Sequence, residues 1–407
     1  MDFNDSPEEA AYRAQARTWL EANAPKGPLR GSTVDSEEGL ARAREWQARK
    51  AAAGYAQITW PKDWGGPGGT PIQQVIFGQE EAAYGLGGSA YFGIGLGMCL
   101  PTVMAFADEA TKKRFVGPAL RGEEIWCQLF SEPAGGSDLG GVRTRAVRDG
   151  DDWVVNGQKI WTSGAHYSDY AILITRTNVD APKHKGMTMF WLDMKSPGVE
   201  VRPIHQMSGG SEFNEVFFTD VRIPDSQRLG PVDEGWKVSL VTLMNERNSV
   251  GGTMGVAWPE FMAFARETPG ASTPTALGDA AVRERLADWY VQTEGLKHIR
   301  SRTVTALSKG DTPGPENSIT KVVVANQLQA LALDAVELLD QYGVISDPQV
   351  APAHAVFQAS LLSAAGLRIA GGSDEILRNI IAERVLGLPS DIRLDKNVAF
   401  KDIPTGR

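Results

Sequence analysis

The sequence predicts an α+β chain laid out as a helical block, a β-stranded block and a helical bundle, and three features point to it. Apolar residues recur at helical spacing through the first 125 positions; from Trp126 the period drops to two; after Gly235 the helical period returns and runs nearly to the C-terminus. The expected domains are an N-terminal helical domain over 1–125, a middle antiparallel β sheet or barrel over 126–229, a C-terminal helical bundle over 230–390 and a tail over 391–407. A chain of 407 residues has room for two or three such domains.

The helical block opens on Ser6-Pro7-Glu8-Glu9, an N-capping signal, followed by Tyr12, Ala16, Trp19 and Leu20 on one helical face. A glycine-dense break covers Trp60-Pro61 to Thr70-Pro71, helix resumes at Ile72, and a further helix is expected from Asp108 to Phe115. Between Tyr84 and Ala107 there is no charge, but six glycines and Pro101 make this segment read as two buried helices meeting at a turn rather than a membrane span. Its Gly93-Ile94-Gly95-Leu96-Gly97-Met98 run lacks the third glycine of a dinucleotide fingerprint.

In the β block, Val142–Val147 and Trp153–Val155 flank Asp149-Gly150-Asp151 as a hairpin. Further strands are expected at Tyr170–Thr175, Met187–Leu192, Val199–Pro203 and Val216–Val221, with the block ending near Pro224. Turn-forming stretches at Thr268–Gly278 and Gly310–Asn317 interrupt the last block, where Val324, Leu328, Leu331, Ala335, Leu338 and Tyr342 form an apolar seam for bundle packing.

The net charge of −9 gives no electrostatic reason to expect nucleic acid or an anionic membrane as a partner. Cys99 and Cys127 form neither a disulfide framework nor a zinc motif, and five scattered histidines lack metal-ligand spacing, so no metal is expected. No Ser–His–Asp or P-loop pattern occurs. The acidic N-terminus has no apolar core of a targeting peptide, and a cytoplasmic location is expected.

The most informative stretch runs from Leu129 to Gly164, from Leu-Phe-Ser-Glu-Pro-Ala-Gly-Gly-Ser-Asp to Asn-Gly-Gln-Lys-Ile-Trp-Thr-Ser-Gly. Separately, Ser131-Glu132-Pro133 with Gly135-Gly136 reads as an ordinary turn and Asn156-Gly157 as a hairpin signal. Together they place hydroxyls, an indole and a glycine-rich turn where a flat ring with a polar edge could be held. In this order and separation they resemble the acyl-CoA dehydrogenase family, whose middle domain reads roughly L-T-E-P-x-x-G-S-D and later N-G-x-K-x-W-I-T-N.

The resemblance implies FAD as cofactor, bound by Phe130, Ser131, Ser137, Trp161, Thr162 and Ser163. Ser131 would serve the pyrimidine edge of the flavin, Ser163 would donate to N5 in place of the usual threonine, Trp161 would lie beside the ring, and Ser137 would sit toward the CoA side. The implied reaction converts an acyl-CoA to its trans-2-enoyl-CoA, a base taking the α-proton while hydride passes to the flavin.

Many family members carry that base in a Y-E-G-T-x-Q-I-Q-R element, and register against Ile376 and Arg378 puts Gly371 at the glutamate position. Asp374 and Glu375 lie at a helix start, where acids are ordinary. A minority branch carries the glutamate in a Glu-Arg pair on the helix opening the third domain, so Glu246 is the expected base, with Arg247 orienting the site or balancing its charge. The backbone N–H of Gly371 would hold the thioester oxygen, and Gly371 and Gly372 would leave room for branched, ring-bearing or steroid-side-chain acyl groups.

Two family elements that lend donors to a neighbour's FAD, R-x-x-F-G and Q-x-x-G-G-x-G, are broken here, at Phe264–Ala271 and Leu338–Val344. This resembles the heteromeric actinobacterial steroid-type members and implies an α2β2 assembly with a homologous chain, the alternative being a homotetramer. Electron-transfer flavoprotein is the implied acceptor. The competing functions are a non-catalytic FAD- and acyl-CoA-binding subunit and a flavin oxidase or monooxygenase on the same fold.

Overall fold

The computed structural model describes residues 5–27, 37–86, 89–249, 256–309, 314–392 and 394–404; the side chains of 89, 90, 246–249 and 308 also lie outside the described residues. The described residues divide into two units, one of 5–249 with 392–404, the other of those between 256 and 391.

In the larger unit, helix α1 (Pro7–Asn23) starts where the sequence predicts: the Ser6 hydroxyl accepts from the Glu9 N–H and the Glu9 carboxylate accepts from the Ser6 N–H, a capping box. Helices α2 (Glu37–Ala52) and α3 (Pro71–Ala82) pack on α1 through Trp19, Trp46, Tyr55 and Phe77, with Thr70 and Gln73 making a second capping box. The uncharged segment is not two helices with a turn between them. α4 (Ser89–Ile94), a π-helical stretch (Gly95–Cys99) and α5 (Leu100–Phe106) run on as one helix. Pro101, which has no N–H to donate and would crowd the preceding turn of a regular α-helix, stands in the first turn of α5, directly after the wider π turn. Gly95 lets this helix approach β1, since a Cβ there would sit 3.3 Å from that of Trp126. α6 (Glu109–Leu120) follows, capped by Asp108.

Among the described residues an eight-stranded sheet comprises β1 (Trp126–Leu129), β2 (Arg145–Asp149), β3 (Asp152–Ser163), β4 (Tyr170–Arg176), β5 (Met187–Asp193), β6 (Val199–Pro203), β7 (Phe213–Pro224) and β8 (Arg228–Leu229). Its order is β6-β7-β3-β2-β4-β5-β8, with β1 pairing β4. The sheet is mixed rather than purely antiparallel, because β1 runs parallel to β4 and β2 touches β4 in parallel at Arg145–Arg176. Both faces are covered. In β4 and β5, Ile172, Ile174, Met187 and Met189 point into the helical core, while Ala171, Leu173, Phe190 and Leu192 fill a second core with β3 and β7. That is why these strands read as almost unbroken apolar runs.

The hairpin turn lies at 149–151 as predicted, but Asn156-Gly157 is no turn: it falls inside β3, at a register shift against β7. A Cβ on Gly157 would meet the Thr144 backbone and side chain at 2.6–2.8 Å. Gly157→Ala is therefore expected to cost about 1–3 kcal/mol by overpacking, read as a lower midpoint in urea unfolding with an unchanged slope. An unchanged midpoint would contradict the packing.

Helix α7 (Gly235–Ser249) returns to the helical core, burying Val238, Ser239 and Thr242. The other unit holds α8 (Trp258–Glu267), α9 (Ala280–Ser308), α10 (Asn317–Leu338), α11 (Val356–Ile369) and α12 (Asp374–Ile380), packed around Phe261, Trp289, Leu331 and Phe357. Leu328, Leu331 and Ala335 of the seam are buried, joined by Ala325 and Ala332. Tyr342 lies beyond the end of α10, in a short 3₁₀ turn, and is 54% exposed. No described helix is long and apolar enough to cross a membrane.

Candidate active site

The two informative motifs converge, and a charge pair joins them. β1 leads through buried Phe130 to Ser131, whose carbonyl accepts from the Ile160 N–H of β3 at 2.9 Å. Glu132 then turns inward and accepts from the N–H groups of Arg143 (2.6 Å) and Thr144 (2.9 Å) and from the Lys159 ammonium (2.8 Å). Lys159 also donates to the Phe130 carbonyl at 3.0 Å. Both side chains are nearly or wholly buried.

Their titrations shift the same way for different reasons. Burial opposes ionisation of Glu132, but the Lys159 charge and the hydrogen bonds outweigh it and hold its carboxyl below the usual range. At Lys159 burial wins over the single carboxylate and pulls the ammonium down to about 8. Glu132 is the partner whose charge state is secured.

Beyond Lys159 the β3–β7 register slips again, and Trp161 takes a left-handed backbone, φ 59°. This bulge turns the indole outward, 55% exposed and edge-on to Phe213 at 6.0 Å. Thr162 turns inward; its carbonyl accepts from the Asn214 amide at 2.9 Å, and Asn214 Oδ1 lies 3.1 Å from His166 Nδ1. The Thr162 Oγ1 atom is buried without a hydrogen-bond partner. Ser163 and Ser131 are half-buried, and a Cβ on Gly136 would stand 3.4 Å from Ser131 Oγ. Ser137 is exposed on the same loop. The Ser131–Gly136 turn thus exists as a turn, closed by paired hydrogen bonds between Glu132 and Gly135, and it carries the candidate donors.

A bulky residue held at positive φ costs of order 1–3 kcal/mol. Trp161→Gly is accordingly expected to leave thermal stability unchanged or raised by about 1 kcal/mol, since the lost indole is largely exposed. A strongly lowered melting temperature would show that the indole is structural.

Helix α7 brings position 246 to the larger unit. The Thr242 hydroxyl bonds that of Thr102 in α5 at 2.8 Å, both fully buried, and residue 246 follows one helical turn later. The side chains of Glu246 and Arg247 lie outside the described residues.

Gly371 and Gly372 belong to the other unit, with φ 64° and 92°, values that glycine adopts freely. Lys321 donates to the Gly372 carbonyl at 2.7 Å. Asp374 opens α12 behind its Ser373 cap, but it is 1% exposed, accepting from Arg368 (2.8 Å) and Asn326 (3.1 Å). Burial would raise its carboxyl, but these donors hold it below the usual range. Lys321, which holds the Gly372 carbonyl, lies 3.9 Å from the Asp374 carboxylate.

The family models for the acyl-CoA dehydrogenase N-terminal, middle and C-terminal domains match residues 6–123, 127–221 and 233–386. The acyl-CoA dehydrogenase IpdE1 of Mycobacterium tuberculosis is 36% identical over 401 residues, covering 94% of this chain and 98% of its own. This chain belongs to the acyl-CoA dehydrogenase family. The acyl-CoA dehydrogenase FadE34 of the same organism is also 36% identical over 345 residues, and there the match covers 46% of the longer relative. Among solved structures, the Tcur3481-Tcur3483 steroid ACAD superposes with a TM-score of 0.78 at 26% identity, covering 96% of this chain and all of that one. The ChsE4-ChsE5 complex from Mycobacterium tuberculosis gives 0.75 at 28%, with the same coverage.

Acyl-CoA dehydrogenases are FAD-dependent oxidoreductases. The residues present suit that group: three hydroxyls on adjoining chain segments, one of them orphaned and buried, lie next to an outward-turned indole. Sequence reading did not single out Glu132, Lys159 and Asn214. Lys159 carried a signal, since a lysine at an inward position of a strand otherwise lined by Val155 demands a buried counter-charge.

Proposed function

We propose that this acyl-CoA dehydrogenase removes the α and β hydrogens of a CoA thioester to give the trans-2-enoyl-CoA, with Glu246 as base. The observation that carries this reading is the convergence of Ser131 with the strained bulge Trp161–Ser163. There Ser131 and Ser163 would hold the polar edge of FAD, with Phe130, Thr162 and Trp161 around it. Bound there, FAD supplies the hydride acceptor.

Glu246 takes the α-proton as negative charge builds on the thioester oxygen, and the Gly371 N–H receives that oxygen. Arg247 balances the charge of Glu246, and Ser137 contacts the thioester on its CoA side. Gly371 and Gly372 bring no side-chain bulk, which favours branched or ring-bearing acyl groups.

A heteromeric assembly is the second part of the reading. The broken donor elements at 264–271 and 338–344, and the pairing of two chains in the ChsE4-ChsE5 complex, support an α2β2 complex in which a homologous chain completes the FAD site. Co-expression with a homologous partner, followed by flavin stoichiometry and a panel of acyl-CoA thioesters, tests both parts. Stoichiometric FAD and turnover in the chain purified alone would sink the heteromer. Bleaching of the flavin by an acyl-CoA under anaerobic conditions, with slow return of colour in air, is expected of a dehydrogenase that passes electrons to electron-transfer flavoprotein; fast return identifies an oxidase.

A further inference from the structure

The described C-terminal residues dock on the sheet-bearing unit. Ala399 bridges Pro182, the Phe400 N–H donates to the Ala181 carbonyl at 2.9 Å, and the Lys401 N–H donates to the Val179 carbonyl at 3.0 Å, so the tail pairs with the loop between β4 and β5. Two of its side chains then reach groups that hold the loop carrying Ser137.

The first is Phe400. Its ring lies 3.9 Å from the guanidinium of Arg176, which is 1% exposed and donates to the carbonyls of Gly140 (2.6 Å), Val142 (3.4 Å) and Lys183 (2.9 Å). A buried guanidinium satisfied by carbonyls gains from an aromatic face that also keeps water out. The second is Asp395, 2.5 Å from the Lys183 ammonium, which reaches Asp138 at 3.2 Å. Asp138 follows Ser137 directly. The inner end of the loop is thus pinned by Arg176 and Glu132, and its tip by Lys183 held between two carboxylates.

We propose that residues 394–404 are a positioning strap, in which Phe400 through Arg176 and Asp395 through Lys183 set the Gly136–Val142 loop for the CoA end of the substrate. This rests on the reading of Ser137 as a thioester contact. Lys183, Asp395 and Phe400 are positioning residues, since each acts through the loop.

The test uses the full chain co-expressed with its homologous partner, as wild type, Asp395→Asn, Phe400→Leu, Lys183→Met and Lys183→Arg, with free CoA as the probe. Amide exchange over 133–142 should quicken in the first three variants and stay slow in Lys183→Arg, with the melting temperature held. The CoA dissociation constant should rise on the order of tenfold in the same three, as expected when a preordered loop must be ordered on binding, with flavin content unchanged. Unaltered exchange in both Asp395→Asn and Phe400→Leu overturns the strap. If the wild type binds no CoA, the proposed function falls instead, and the exchange result alone decides whether the tail orders the loop.

Discussion

Glu246→Gln is expected to lower the rate of acyl-CoA-dependent flavin reduction by about 10²–10⁴-fold, the usual contribution of a positioned general base, with flavin content and melting temperature retained. Gln keeps the size of Glu and removes only the proton acceptor. The prediction is sharp because position 371, where many family members carry the glutamate, is a glycine at φ 64°. The nearest acid in that element, Asp374, is committed to Arg368 and Asn326. Stopped-flow mixing with acyl-CoA under anaerobic conditions separates the outcomes. Unchanged reduction in Glu246→Gln refutes the assignment, and absence of reduction in the wild-type assembly supports the non-catalytic-subunit alternative. Asp374→Asn makes the complementary control: it should loosen the glycine turn and lower stability without selectively removing proton transfer.

Lys159→Met is expected to destabilise the fold by about 3–5 kcal/mol, because it leaves Glu132 buried with its charge uncompensated. Methionine fills much the same volume, so the loss is electrostatic rather than a cavity effect. Glu132→Gln combined with Lys159→Met removes both charges and should recover a large part of that loss. The pH profile carries a second signature. Because the folded state holds the Glu132 carboxyl below its ordinary 4.5, the pair's stabilisation is complete above that value and is lost as pH falls through the lower, folded one. Glu132→Gln should therefore flatten the acid limb of a plot of melting temperature against pH. Equal stability losses in Lys159→Met and in the double variant would show that the charge pair is not the source. Since Glu132 also holds the N–H groups of Arg143 and Thr144, flavin content should fall with stability in the single variant.

Much of the architecture was legible from local pattern. Ser6 and Thr70 announce their helices because a capping residue and its partner lie three positions apart. The switch to period two at Trp126 follows from side chains alternating between two buried cores. Taken alone, Asn156-Gly157 reads as a tight turn, whereas here the glycine is required by close packing on Thr144, just ahead of β2. Pro101 suggested a break, and a π turn accommodated it. Asp374 read as an ordinary helix-start acid, since the Arg368 and Asn326 partners that hold it are contributed by other helices.

By itself the sequence determined the order of the blocks, the family and the two motifs, all of which rest on neighbours within a few positions or on a run of characteristic residues. Only the tertiary structure decided that Glu132 pairs with Lys159, that Trp161 is held at positive φ, and that Phe400 covers Arg176. These pairs are separated by many residues or by a register slip between strands, and neither propensity nor periodicity specifies them. They form because a buried charge must find its partner, and only the folded chain brings that partner within reach.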